Sequence, residues 1–222
     1  MIKLTPRLAA VADTVNKCDC FLDVGTDHAY LPAYIVETGI SNRAIASDIN
    51  PNPLGNAQKT LEEYGMDGKI ELRLSAGFEN IEPREAQEIA VCGMGGIMIA
   101  DMINATDWLR DGNIHLILQP MTHFEDVRRA LFDNGFSIET EKTVCEDRHV
   151  YLVVSARYTG EKSEHEPYEY YVGNLPKSDG ETDKRFVEKV LKSLYNKYNG
   201  TKDEKTLELI RSIENAQGKG NI

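Results

Sequence analysis

Apolar residues along this chain gather into seven short runs: Cys20 to Val24, Ala44 to Ser47, Ile70 to Leu74, Ile89 to Cys92, Ile114 to Leu118, Ser137 to Val144 and Tyr151 to Ala156. Runs of this length bounded by polar and turn-forming residues read as buried strands, and the amphipathic stretches between the first five are long enough for helices. The alternation predicts an α/β fold with a mainly parallel sheet and helices on both faces. Only Cys145 to Val150 separates the last two runs, so they are expected to pair as an antiparallel hairpin at one edge. Ahead of the first strand, Thr5 is placed to cap a helix with Pro6 at its first position, and Leu8, Val11, Ala12 and Val15 fall on one face.

Beyond Gly160 the pattern changes. Residues 161–183 have little regular spacing and are broken by Gly173, Pro176 and Gly180. Phe186, Val187, Val190, Leu191, Leu194, Tyr195 and Tyr198 then make a helical stripe, and Leu207, Ile210 and Ile213 a weaker one. Two antiparallel helices joined near Asn199 to Lys202 would bury the stripes against each other. The organisation expected is a sheet domain over residues 1–160 and an appended C-terminal helical hairpin over residues 161–222.

Composition narrows the class. With 222 residues and 41% apolar content the chain can bury a full core. It has no run of eighteen apolar residues, and no apolar leader follows Met1, Ile2 and Lys3, which reads as a soluble, cytoplasmic protein with no membrane partner. Cys18, Cys20, Cys92 and Cys145 contain no C-x-x-C pair, so structural thiols are expected and no metal site. The net charge of −11 is unevenly placed: residues 1–160 hold 14 Lys and Arg against 24 Asp and Glu, residues 161–222 hold 11 against 12. Lys184 to Lys205 holds seven basic residues against three acidic ones, a place for a polyanion to dock, although a solvated helix face of mixed charge would look the same.

The chemistry concentrates where the predicted strands end. DVGTDHAYLP, Asp23 to Pro32, follows the first strand, and Asp48 ends the second. Strand, glycine turn, helix, strand and acid make a nucleotide-binding βαβ unit, in which Asp48 can accept from both hydroxyls of a ribose. Gly25 lets backbone approach an adenosine-bearing cofactor, with Thr26 beside it, and Asp23 either organises the turn or reaches a cofactor amino group. Asp27 stands where such turns usually carry glycine. It is a candidate acid group, with capping of the helix near Ala29 as the plainer account of its type, and His28 and Tyr30 are equally read as ordinary first-turn residues. Ile49 and Asn50 follow Asp48, and Pro51 and Pro53 open the next helix; capping again competes with ribose binding. Ser75, Ala76 and Gly77 follow the third strand, without the acid common at Ala76, leaving an adenine to backbone groups or to Phe78. CGMGG, Cys92 to Gly96, surrounds Met94 with three glycines, an open backbone suited to close approach by a flat or bulky group.

In order and spacing, LTPRLAAVA, DVGTDHAYLP, Asp48 with Asn50 and Pro53, GMGG at Gly93 to Gly96 and LILQP at Leu116 to Pro120 resemble the TrmK family of bacterial tRNA adenine-N1 methyltransferases. The resemblance spans most of residues 1–158 and is weaker beyond Glu161. It implies a Rossmann-like class I methyltransferase sheet, S-adenosylmethionine as cofactor and tRNA as partner, with methylation of adenine 22 in the D-arm. Cofactor contacts would fall to Asp23, Gly25, Thr26, Asp27, Asp48, Ile49, Asn50, Ala76, Gly77, Gly93, Met94 and Gly95. Neutral adenine already carries a lone pair on N1 and its product is cationic, so a carboxylate beside the base would stabilise the developing charge. Asp27 is the first candidate, with His28, Tyr30, Gln119 and Pro120 behind it. Arg128 and Arg129, together with Arg185, Lys189 and Lys192 on the first C-terminal helix, are the expected phosphate contacts of an enzyme acting as a monomer. A methyltransferase of another substrate, or a cofactor- and RNA-binding protein without catalysis, would keep Asp23, Gly25 and Asp48. The first would work without the basic helix and the second would be indifferent to loss of Asp27.

Overall fold

The computed structural model describes residues 2–66 and 68–218. Helix α1 (Pro6–Ala12) begins at Thr5, whose side chain accepts from the Leu8 nitrogen, as the cap and proline predict. Five parallel strands follow, β1 (Cys18–Val24), β2 (Ser41–Asp48), β3 (Ile70–Leu74), β4 (Glu88–Gly95) and β5 (His115–Thr122). Between them run α2 (Tyr30–Glu37), α3 (Pro51–Tyr64) and α4 (Gly96–Ala105); α5 (Phe124–Asp133) follows β5. The strands β6 (Phe136–Glu146) and β7 (His149–Tyr158) form the expected antiparallel hairpin, and β7 enters the sheet between β5 and β6 in the order β3-β2-β1-β4-β5-β7-β6.

Strand side chains alternate between two cores, as the pleat requires. Phe21, Ala90 and Ile117 face α1, α2 and α3, meeting Val11, Ile35 and Leu61. Leu22, Val91, Leu116 and Leu118 face the other way, toward Ile99 of α4 and Val127 and Leu131 of α5.

The expected C-terminal helical pair is present and packs into the core of the sheet. The helices α7 (Glu181–Thr201) and α8 (Glu204–Ala216) are joined at Lys202 and Asp203, close to the expected turn. Their buried residues Phe186, Val187, Val190, Leu191, Ile210 and Ile213 belong to the same apolar cluster as Leu116, Leu152 and Val154 of the sheet. Phe186 is fully buried, edge-on to Phe124 of α5 with ring centroids 4.9 Å apart. Burying one such ring is worth about 1.5–3 kcal/mol, so these helices complete the sheet's core and do not only pack on each other. A further helix, α6 (Pro167–Val172), lies in the stretch without a visible pattern; a capping box between Glu166 and Glu169 starts it, and its six residues are too few to show a period.

Candidate active site

A cleft opens at the carboxyl ends of the parallel strands, where β1 and β4 lie side by side. The turn after β1 is pinned to β2 by the Gly25 and Thr26 nitrogens, which donate to the Ser47 carbonyl at 2.8 and 2.9 Å. Gly25 has φ +80°, the left-handed region that favours glycine, and the flexible Met94 side chain lays its methyl against the bare Cα. Arg7, Asp23, Gly25, Thr26, Asp27, His28, Tyr30, Cys92 and Gly93 line a cavity of about 360 Å³.

Within it Asp23 is buried, and burial, with the charge of Asp48 adding to it, pushes its carboxyl up to about 6. The Thr26 hydroxyl sits close enough to temper that rise, yet it is buried without a well-formed hydrogen bond among the described residues. An acid and a hydroxyl left in this state fit a ligand that brings a cation and polar groups of its own. Burial also raises the Cys92 thiol and takes Cys20 to about 11, so both are protonated at neutral pH.

Asp27 is not a helix cap. The N-cap position of α2 is Ala29, held at φ +53° with no capping side chain, and this kink leaves the Asp27 side chain 71% exposed at the cleft's mouth. Asp27 lies 3.4 Å from His28 Nε2, and the His28 ring stacks on Tyr30 at 5.5 Å. The three expected acid and base-contacting residues thus form one rim cluster. Asp48 does not cap α3 either: its Oδ1 accepts from the Asn50 nitrogen at 2.7 Å, and Oδ2 makes no hydrogen bond among the described residues. Ile49 and Leu74 beside it are more than half exposed, an apolar pair at the ends of β2 and β3. Ser75 braces the loop after β3, donating to the Gly77 carbonyl and accepting from the Asn80 nitrogen. Ala76 and Gly77 are half-buried there. Phe78 is 6% exposed, edge-on to Trp108 in the core, and so offers no face to an adenine.

The glycines of CGMGG separate into roles. Gly93, at φ +75°, and Met94 border the cleft. Gly95 lies near the Thr122 hydroxyl, and Gly96 is required because a Cβ would overlap the Thr122 and His123 carbonyl oxygens after β5.

Three expected substrate contacts are corrected. Gln119 is fully buried: its Oε1 accepts from Arg7 Nη1 at 2.7 Å and from the Gly93 nitrogen at 3.2 Å, while Nε2 donates to the Pro120 carbonyl. Pro120 is buried as well, so the pair supports the site from beneath and does not face a base. Arg128 is 0% exposed, ion-paired to Glu141 of β6 and donating to the Tyr170 and Tyr171 carbonyls of α6, and is therefore no phosphate contact. Arg129 stays exposed over the Tyr170 ring. On α7, Lys192 is exposed and Arg185 reaches Cys145, whereas the Lys189 ammonium donates to the Val150 carbonyl and lies over Phe124. Arg7 is the cleft residue that sequence reasoning passed over, since nothing local distinguishes a charged residue in the first turn of a helix.

A parallel sheet with a terminal antiparallel hairpin, a glycine turn after β1 and an acid after β2 defines a Rossmann-like methyltransferase domain. Residues 4–154 match the family described as a methyltransferase domain. The tRNA (adenine(22)-N(1))-methyltransferase of Bacillus subtilis is 35% identical over 155 residues, a match spanning 70% of this chain and 65% of that protein, just under two thirds of its length. A putative tRNA methyltransferase of Mycoplasma pneumoniae is 30% identical over 69% of this chain and 71% of its own. Among solved structures, a putative tRNA (m1A22) methyltransferase of Streptococcus pneumoniae in complex with S-adenosyl-L-methionine superposes with a TM-score of 0.85. It is 30% identical, and the match covers 97% of this chain and 100% of that one. The chain belongs to the TrmK family of methyltransferases.

Proposed function

We propose that this protein transfers a methyl group from S-adenosylmethionine to N1 of adenine 22 in the D-arm of tRNA, working as a monomer in the cytoplasm. The observation that carries the reading is the cleft itself, with a buried acid and an unpaired hydroxyl in its floor and the Asp27, His28 and Tyr30 cluster at its rim, beside the strand β2 that ends in Asp48. The matches to relatives named as m1A22 methyltransferases supply the substrate. The cofactor brings an activated methyl group on a sulfonium. Asp48 would hold the ribose, Ile49 and Leu74 are placed to cover an adenine, and Asp23 would face the amino group of the amino-acid end.

Adenine N1 needs no deprotonation, so the residues at the rim have two tasks, alignment and support of the cation that forms. Asp27 performs both by accepting from the exocyclic amine and countering the new charge, while the stacked His28 and Tyr30 rings offer a surface for an extruded base. Phosphates would be met by Arg129, Arg185, Lys189 and Lys192, the exposed members of the expected set. Among the described residues no helix is long and apolar enough to cross a membrane and no group of three metal-binding side chains is present.

The test is incubation with S-adenosylmethionine and unmodified tRNA transcripts carrying adenine or guanine at position 22, followed by digestion to nucleosides. 1-Methyladenosine is expected only with adenine. Its absence from every transcript overturns the activity, and its persistence with guanine overturns the position. Asp27→Asn should lower kcat roughly 100-fold, the scale for losing one transition-state contact, with little change in cofactor affinity.

A further inference from the structure

Six of the seven large apolar side chains left exposed among the described residues stand along one edge, at or just beyond the carboxyl ends of the parallel strands. Tyr30, Ile49 and Leu74 are accounted for by the cleft, and Ile97, Met98 and Met121 are not. The last three come together by construction. Gly95 pairs with Thr122 where β4 meets β5, and the missing side chain of Gly96 lets the first turn of α4 rest on the Thr122 and His123 carbonyls. Ile97 and Met98 lie in that turn, half or more exposed, while Ile99, Ala100 and Ile103 take the core face of the helix. Met121, next to Thr122, is 39% exposed, and its sulfur accepts from the buried Gln119 amide at 3.6 Å.

The sheet order puts β4 between β1 and β5, so this apolar surface begins one strand spacing, ~4.8 Å, from the cleft. Its surroundings do not suit a nucleic-acid backbone. Ile97 also lines a groove of about 300 Å³ between α4 and α5, whose charged members Asp101, Asp126, Asp133 and Arg129 are three acids to one base. The uncharged face of a nucleobase meets no such repulsion. Lifting an adenine out of its stack strips its neighbours of a partner, and isoleucine and methionine are among the side chains that proteins set against opened base steps. Methionine sulfur adds a polarizable contact to an aromatic face. We propose that Ile97, Met98 and Met121 form a platform on which the nucleobase next to the extruded adenine stacks. The proposal rests on the reading of this cleft as a tRNA adenine-N1 methyltransferase site and names how that substrate is held. The platform adds affinity without reading sequence, because every base has such a face.

Binding of unmodified tRNA by filter retention tests this in wild type, in the double variant Ile97→Ser with Met98→Ser, and in Met121→Ser. The double variant should bind tRNA roughly 10-fold more weakly, toward the low end for one stacked base. The slope of affinity against salt should not move and S-adenosylhomocysteine should stay within about two-fold, since neither phosphate nor cofactor is touched. Transcripts abasic on one side of the target adenine or on the other complete a cycle. On one of the two sides, loss of the base should cost wild type a similar factor and the double variant little more. Independent losses on both sides, a flattened salt slope, or unchanged tRNA binding by the variants overturns the proposal. Should the variants fail to fold, wild type decides: equal affinity for the intact and both abasic transcripts overturns it. A wild-type dimer that the double variant dissolves at unchanged tRNA affinity makes the patch a contact between copies instead. Failure of wild type to methylate any transcript would overturn the tRNA reading itself.

Discussion

Replacing Arg128 with methionine separates a structural ion pair from an RNA contact. Its guanidinium is fully buried, the Glu141 side chain it pairs with is only 9% exposed, and two carbonyls at the end of α6 depend on it. Removing one partner of a buried pair costs about 3–5 kcal/mol, because the other charge stays buried, and each orphaned carbonyl adds about 1 kcal/mol. Arg128→Met should therefore lower unfolding stability by roughly 5–7 kcal/mol, a large share of the ~5–15 kcal/mol that domains possess. Urea unfolding followed by circular dichroism measures this, with Arg129→Met as a surface control expected within about 0.5 kcal/mol of wild type. Pairing Arg128→Met with Glu141→Leu removes the stranded charge and should restore at least half the loss. An Arg128→Met midpoint equal to that of the control, or a double variant no better than the single, would refute the reasoning. Weaker tRNA binding at unchanged stability would return Arg128 to the phosphate-contacting set.

Further outcomes follow from the cleft and its supports. Asp23 has a folded pKa of about 6 against an ordinary value of 3.8, so the native state holds its proton more tightly than the unfolded chain. Its contribution to the stability of the ligand-free protein is therefore lost as pH rises from about 4 through 6 and levels above that. Asp23→Asn should gain on wild type over that window in urea unfolding; parallel curves would contradict the buried charge. Gly96→Ala forces a methyl against the Thr122 and His123 carbonyls, backbone that cannot swing aside, and should cost about 1–3 kcal/mol in a thermal or urea melt. Arg185→Gln with Lys192→Gln should weaken tRNA binding and flatten its dependence on salt, while cofactor binding stays within two-fold in calorimetry; an unchanged salt slope would remove α7 from the interface.

The strands are legible because each apolar run is short and bounded, and the ends of those runs put Asp23, Asp48 and Gly93 at one edge of the sheet from the sequence alone. Residues whose role depends on convergence are not. Arg7 meets Gln119 112 positions away and Glu146 139 positions away, across elements whose meeting no local pattern announces. Arg128 looked like a surface cation because it is charged and sits beside Arg129. Its burial comes from Glu141 and from α6, the short helix that closes over it. The stripes of α7 and α8 were correctly apolar, but a helical period reports which face is buried and not against what. Phe78 failed for the same reason, since its neighbour Trp108 arrives from beyond α4.

The shared core of the sheet and the C-terminal helices has a consequence for how a substrate is measured. Because Phe186, Val187, Ile210 and Ile213 are embedded with the strands, the basic face of α7 stands at a set span and angle from the rim at Asp27. On the proposed reading, in which the rim takes the nucleotide and α7 the phosphate, the spacing between the two contacts would itself select RNAs of matching reach. Shortening or flexing the tRNA between those two points should lower methylation even where the target adenine and its neighbours are untouched.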